Sequence, residues 1–234
     1  LAYRSTHWGC GKKMAEIQYL DNPLETEGLL ELLCPPVRNW FKDKFPDFTE
    51  PQKLAIPAII EQEHLLLCSP TGSGKTLTAF LSIIDQLVRR ALDNKLDKKV
   101  YCVYISPIKA LANDIQRNLI GPLTEISESY LPSRAQEIRV GLRTGDTPQS
   151  ERQKMLRNPP HILITTPESL AIAITSPRFQ PIVSEVEYMI VDELHSLVPT
   201  KRGVHLALTL SYLDTLLTRP VQRIGISATM EPLE

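Results

Sequence analysis

The sequence predicts an α/β domain, a mostly parallel sheet with helices on both faces, and three observations predict it. Short β-branched runs alternate with longer amphipathic stretches from about residue 64 to the end of the 234-residue chain, the pattern of strand–helix–strand units. The strand candidates are near-continuously apolar, as strands buried on both faces are. Polar clusters stand at the carboxyl ends of six of them: "SPTGSGKT", "SPIKALAND", "RTGDT", "TTPESL", "VDELH" and "SAT". That is the edge at which parallel sheets gather their ligands.

Each element has a local reason. From Leu24 to Ile60 apolar residues recur every three or four positions, and Pro35, Pro36 and Pro51 stand where helices begin, so this stretch reads as a helical preface. Strands are expected at 64–69, 100–106, 138–143, 161–166, 187–193 and 223–229. Helices are expected at 75–92, 108–120, 148–156, 167–175 and 203–217. The stretch "LAYRSTHWGCGKK" ahead of Met14 has no periodicity, and residues 1–23 are expected to be a poorly structured leader or appended segment. Residues 24–234 are then one domain.

Composition narrows the function classes. With 42% hydrophobic and 23% charged residues the chain is of ordinary globular make-up, and no apolar run approaches the length of a membrane span. Cys10, Cys34, Cys68 and Cys102 lack the paired spacing of a zinc site; Cys68 and Cys102 sit in apolar runs and read as core thiols. Such usage fits a reduced intracellular compartment, and a cytoplasmic, prokaryotic-type location is expected. A formal net charge of −1 excludes a broad basic field, so any nucleic-acid contact must be local.

The stretch "HLLLCSPTGSGKTLTAF" is an apolar run, a Gly-rich turn and the start of a helix. A phosphate-binding loop needs glycines to let backbone N–H groups curl around a β-phosphate, a lysine for the β/γ oxygens and a hydroxyl for Mg²⁺. Thr71, Gly72, Ser73 and Gly74 supply the turn, Lys75 the charge and Thr76 the hydroxyl, although Ser69 stands where the first glycine is usual. The plainer alternative is a Gly-rich turn that happens to end in Lys-Thr. In "YMIVDELH", Asp192 and Glu193 end an apolar strand. Adjacent carboxylates repel unless a cation sits between them. Asp192 would order the water shell of a phosphate-bridging Mg²⁺, and Glu193 would polarise an attacking water as general base. The alternative is a helix start favoured by two acids. Both elements in this order point to ATP as the ligand and to its hydrolysis.

Taken together, "TEPQKLAIPAI", "SPTGSGKT", "SPIKALAND", "RTGDT", "TTPESL", "VDELH" and "SAT" resemble the first RecA-like domain of superfamily 2 helicases. The longer stretches "SPIKALANDIQRNLIGPL", "RTGDTPQSERQKML", "VDELHSLVPTKRGVHLALTL" and "RIGISATMEPLE" are similar to the Lhr (large helicase-related) DExH helicases. The resemblance runs from about Phe48 to the C-terminus. It implies a RecA-like P-loop fold and the ATP-binding half of a DNA helicase. It also implies that Gln52 reads the adenine edge, although a solvated residue near a helix start would look the same. Pro107, Lys109, Arg143, Thr144, Gly145, Thr165, Thr166 and Pro167 would grip the sugar-phosphate backbone of one strand. Such contacts position a strand and carry no sequence information, and Thr-Thr-Pro is equally a helix start.

His195 would face the partner domain or the "SAT" segment, where Ser227 and Thr229 would couple the phosphate site to strand separation; their plainer role is as strand-end hydroxyls. Five scattered histidines form no metal-ligand set. Lys201 and Arg202 read as solvated. The implied partners are single-stranded or partly duplex DNA, with RNA or a hybrid as other substrates, and a second RecA-like domain carrying an arginine finger. Such a finger is worth about 10³–10⁵ in related phosphoryl transfers, so this chain alone is expected to turn over slowly or not at all. A DEAD-box-like RNA helicase is the alternative, from whose motifs "DELH" and "SPIKALAND" depart; a nucleotide-binding module without turnover is another.

Overall fold

The computed structural model describes residues 2–5, 18–70, 72–107 and 112–228. Its strands are β1 (Ala2–Ser5), β2 (Gln18–Leu20), β3 (His64–Cys68), β4 (Cys102–Ile105), β5 (Val140–Arg143), β6 (Ile162–Thr165), β7 (Tyr188–Val191) and β8 (Gln222–Ser227). They form one sheet in the order β2-β1-β3-β8-β7-β4-β6-β5. From β3 to β5 every pairing is parallel. The helices of the preface are α1 (Thr26–Leu32), α2 (Pro35–Lys44) and α3 (Glu50–Ile60). Next come α4 (Lys75–Leu92), α5 (Ala112–Ile115), α6 (Gly121–Ser129), α7 (Gln149–Arg157) and α8 (Pro167–Ile174). The last are α9 (Gln180–Val183), α10 (Leu194–Leu197) and α11 (Lys201–Leu216).

Alternation along each central strand builds two cores. Cys102 and Tyr104 of β4, Ile162 and Ile164 of β6, and Tyr188 and Ile190 of β7 join the core shared with α2, α3, α4 and α6. Their neighbours Val103 and Ile105, Leu163, and Met189 and Val191 join the core shared with α8, α9 and α11. Side chains of a strand point alternately to its two faces, so a strand buried on both must be apolar throughout. That is why β4, β6 and β7 contain no exposed position.

Two prolines show how backbone groups are satisfied. Pro57 lies inside α3 and has no N–H for the carbonyl of Lys53; Leu24 N–H donates to that carbonyl instead at 3.1 Å. Pro122 stands in the first turn of α6. Ahead of it Gln116–Ile120 form a π-helical turn, in which Gly121 N–H reaches back to Gln116 O. The wider turn lets the helical path pass the proline, so the helix expected to stop near residue 120 carries on to Ser129.

The N-terminal segment departs from the sequence expectation. Ala2–Ser5 pairs antiparallel with β3 and Gln18–Leu20 with β1, extending the sheet by two strands. Strands this short carry no readable periodicity; the backbone edge of β3 supplies the pairing of β1, and β1 that of β2. The helices α9 and α10, four residues each, were likewise too short to read from periodicity. Cys68 and Cys102 are buried, as expected. No helix among the described residues is long and apolar enough to cross a membrane.

Candidate functional site

The register lines the carboxyl ends of the parallel strands into one row. Gly225, Val191, Ile105, Thr165 and Arg143 are successive partners, and Cys68 is level with Ser227. Among the described residues, the polar clusters singled out in the sequence therefore start from one edge of the sheet.

At one end of the row the chain turns from β3 into α4. Gly72 and Gly74 both take φ +84°, a left-handed conformation that a Cβ would strain. Gly74 is the residue from which α4 starts, so a helix N-terminus follows directly on the turn, an arrangement suited to anions. The Ser73 hydroxyl is buried and makes no hydrogen bond among the described residues. Lys75 is buried, and its Nζ donates to the carbonyls of Ser69 and Pro70, the second at 2.7 Å. Burial pulls its pKa down, while the charges of Asp192 and Glu193 act the other way. Thr76 is half-buried on the first turn of α4; Thr71 lies outside the described residues.

Gln52 is buried against this loop rather than solvated. Its Oε1 accepts from Thr49 N–H at 2.9 Å, capping α3, and its Nε2 lies 3.2 Å from the place a Cβ on Gly74 would occupy. Thr49 Oγ1 donates to Ser73 O at 3.1 Å. The cap of α3 and the phosphate-type loop thus brace each other.

Asp192 follows β7 and is buried. Its Oδ1 accepts from Glu193 N–H at 2.8 Å and its Oδ2 from the Tyr104 hydroxyl. Burial raises its pKa, and those two donors oppose the rise by favouring the carboxylate. Glu193 takes φ +54°, a left-handed conformation that costs a non-glycine residue about 1 kcal/mol or more. The turn swings the chain from β7 into α10. His195, on α10, has Nε2 at 3.0 Å from Glu193 Oε2 and Nδ1 at 3.2 Å from both Ser227 Oγ and Ala228 N. Because Ala228 N–H can only donate, Nδ1 accepts and Nε2–H donates to Glu193. Of the two surroundings expected for His195, it faces the "SAT" segment. Thr229 lies outside the described residues.

The other end of the row holds the residues expected to grip a strand, and most are engaged internally. Arg143 is buried, with its guanidinium 4.7 Å from the Phe179 ring centre. Burial, then Arg152, lowers its pKa. Thr165 is buried and donates to Arg143 O at 2.8 Å, tying β6 to β5. Thr166 caps α8, accepting from Ser169 N–H at 3.3 Å, and Pro167 opens that helix. Thr144 and Gly145 form a turn whose carbonyls accept from Arg152 at 3.3 and 2.9 Å, and Gly145 is exposed. Pro107 is buried, and its carbonyl accepts from Arg202 at 3.1 Å. Lys109 lies outside the described residues. Among the described residues expected to grip a strand, Gly145 is the exposed one.

The sequence profile of DEAD/DEAH box helicases matches residues 49–234. The chain belongs to the DEAD/DEAH box helicase family. Within it, the Lhr-Core ATP-dependent helicase of Methanocaldococcus jannaschii is 50% identical over 222 residues, 94% of this chain and 26% of that protein. The Lhr helicase/uracil glycosylase of Escherichia coli is 46% identical over 90% of this chain and 14% of its own length. Among solved structures, the Mycobacterium smegmatis helicase Lhr bound to ssDNA and AMP-PNP superposes with a TM-score of 0.78 at 46% identity, covering 87% of this chain and 26% of that one. The DEAD-box protein Mss116p, bound to ssRNA and AMP-PNP, shares the fold at 20% identity and a TM-score of 0.73, over 92% of this chain and 42% of its own. The chain thus spans about a quarter of the length of the Lhr-Core relative it matches.

Three participants in this helicase-family site escaped the sequence reading. Tyr104 sits in an apolar strand and looks like core; the signal was its hydroxyl, which must find a partner when buried. Arg152 lies on a polar helix face yet holds the Thr144–Thr147 turn together. Arg202 is exposed, as expected, and also pairs through two nitrogens with Glu168 at 2.6 and 3.2 Å, tying α11 to α8.

Proposed function

We propose that this chain is the ATP-binding half of an ATP-dependent DNA helicase or translocase, coupling ATP hydrolysis to movement on single-stranded nucleic acid and strand separation. The observation that carries the reading is the convergence, on one sheet edge, of a left-handed glycine turn, the buried Lys75 and the Asp192–Glu193 pair. The loop fits a triphosphate: among the described residues it offers a helix N-terminus, a Ser73 hydroxyl without a hydrogen-bond partner and a lysine whose Nζ is held by loop carbonyls. The Thr76 hydroxyl and the Asp192 carboxylate are hard oxygen donors of the kind Mg²⁺ takes beside phosphate, and Mg²⁺ would neutralise charge developing on the phosphates. Glu193 orients the attacking water and draws off its proton, while His195 holds Glu193 in place and links it to Ser227. Gln52 closes the nucleotide side of the loop and contributes to adenine recognition. Residues 24–234 form the domain, acting in the cytoplasm.

The exposed Gly145 turn and the N-terminus of α8 take the backbone of a DNA strand, as supported by likeness to a helicase whose solved structure holds ssDNA and AMP-PNP. Partly duplex DNA is the substrate to be opened. A second RecA-like domain of the longer protein supplies the arginine finger and the other half of the track. The test is steady-state ATP hydrolysis, with and without single-stranded DNA, by this chain and by the full-length protein, each against Lys75→Ala. Turnover that needs DNA, the full length and Lys75 supports the reading. Full-length protein that hydrolyses no ATP with DNA is a module without turnover, and equal or greater stimulation by RNA sinks the assignment to DNA.

A further inference from the structure

We propose that Tyr104 is a positioning residue of the phosphate site: its phenol fixes the Asp192 carboxylate and ties it to the helix that follows the phosphate loop. The inference rests on the ATP–Mg²⁺ reading above. Tyr104 lies on β4, has no exposed surface and points to the α4 side of the sheet. There its ring packs on Phe80, with centroids 4.9 Å apart and planes at 35°. Phe80 stands on α4, little more than one turn past Lys75. The hydroxyl donates to Asp192 Oδ2.

The direction of that bond follows from chemistry, since an ionised carboxylate only accepts. Oδ1 is held by Glu193 N–H at 2.8 Å, and the Asp192 N–H is held by Ile105 O at 2.8 Å. Each carboxylate oxygen therefore has one fixed donor and keeps acceptor capacity for a metal's water shell. Packing alone does not ask for a hydroxyl here. The flanking positions Val103, Ile105, Ile164 and Ile190 are aliphatic and fully or almost fully buried, and a phenyl ring would fill the same space. What the hydroxyl adds is orientation: a carboxylate held at one oxygen can rotate about its Cβ–Cγ bond, and one held at both cannot. Through Phe80 the same ring couples that orientation to α4, so Asp192 and the loop that opens α4 keep a common frame.

The test uses the full-length protein and a fluorescent ATP analogue, with binding measured in the presence and absence of Mg²⁺. Tyr104→Phe keeps the ring and its stacking on Phe80. The expected result is unchanged affinity without Mg²⁺, with the gain conferred by Mg²⁺ reduced about tenfold, the size of one hydrogen bond to a charged group. The double variant Tyr104→Phe/Asp192→Asn should respond to Mg²⁺ no differently from Asp192→Asn alone, because Tyr104 acts through Asp192. A Tyr104→Phe variant whose Mg²⁺ dependence matches wild type overturns the proposal, as does an effect that adds to that of Asp192→Asn. Should Tyr104→Phe not fold, Phe80→Leu loosens the ring while keeping the hydroxyl; a weakened Mg²⁺ dependence supports the coupling, and an unchanged one overturns it. Failure of the underlying reading looks different: wild-type protein would bind the analogue no better than Lys75→Ala.

Discussion

Replacing Gly225 by alanine drives a methyl group into the seam between β8 and α10. An added Cβ would stand 2.5 Å from Leu194 Cδ1 and 3.0 Å from Leu66 Cδ1, inside normal contact distance for carbon atoms. Leu66 can turn away on its strand. Leu194 must shift as well, and it opens α10 directly after the left-handed Glu193 and directly before His195. Overpacking of this kind costs about 1–3 kcal/mol, which for a domain of this size lowers Tm by roughly 2–12 °C. Calorimetry or dichroism reads that shift. The same displacement moves the groups on either side of Leu194, so ATP turnover of the full-length protein should fall further than the loss of folded protein explains. Adding Leu194→Ala makes room for the methyl, and the double variant should be more stable than the sum of the two single changes, a coupling of about 0.5–3 kcal/mol. A Gly225→Ala variant that melts and turns over like wild type would refute the close seating of α10 on β8.

Gly203→Ala should be costlier than Gly225→Ala, because its Cβ would overlap the Leu197 carbonyl and backbone cannot rotate away; denaturant midpoints of the two variants check the order. Thr165→Val removes the buried bond to Arg143 O and should cost about 1–3 kcal/mol in urea unfolding. Since the hydroxyl is spent inside the sheet, the affinity of the full-length protein for single-stranded DNA should stay within about twofold, a change worth less than 1 kcal/mol. Acid should weaken the fold through His161. Burial, then Arg139, lowers the His161 pKa from 6.5 to about 4. The unfolded chain binds a proton in that window that the folded chain does not, so this stability is complete above the upper value and is lost as pH falls toward the lower. The loss should be roughly 2 kcal/mol by about pH 5, and His161→Gln should flatten that part of a stability-versus-pH curve.

The fold was legible because parallel strands buried on both faces must be apolar throughout, as "CVYI" and "YMIV" are, and because Pro35, Pro36 and Pro51 punctuate the preface. Short elements were not legible. The β1 and β2 strands and the four-residue α9 and α10 carry too few positions for periodicity, and the neighbours they pack on make them. The helix that continues past Ile120 was missed because Gly-Pro reads as a stop, and only the Gln116–Ile120 turn lets the backbone pass it.

For the candidate site, the order of residue types along the chain already joined a glycine turn and lysine to a later pair of acids, since phosphate chemistry demands those groups whatever the fold. Which side chains remain available to a ligand was decided only by the tertiary structure. Arg143 against Phe179 and Thr165 on Arg143 O are spent inside the protein, whereas Arg202 pairs with Glu168 at the surface. Tyr104, which reads as plain core, reaches Asp192. A hydrogen bond depends on direction and separation in space, and residues 88 positions apart such as these acquire both only when the sheet sets their strands side by side.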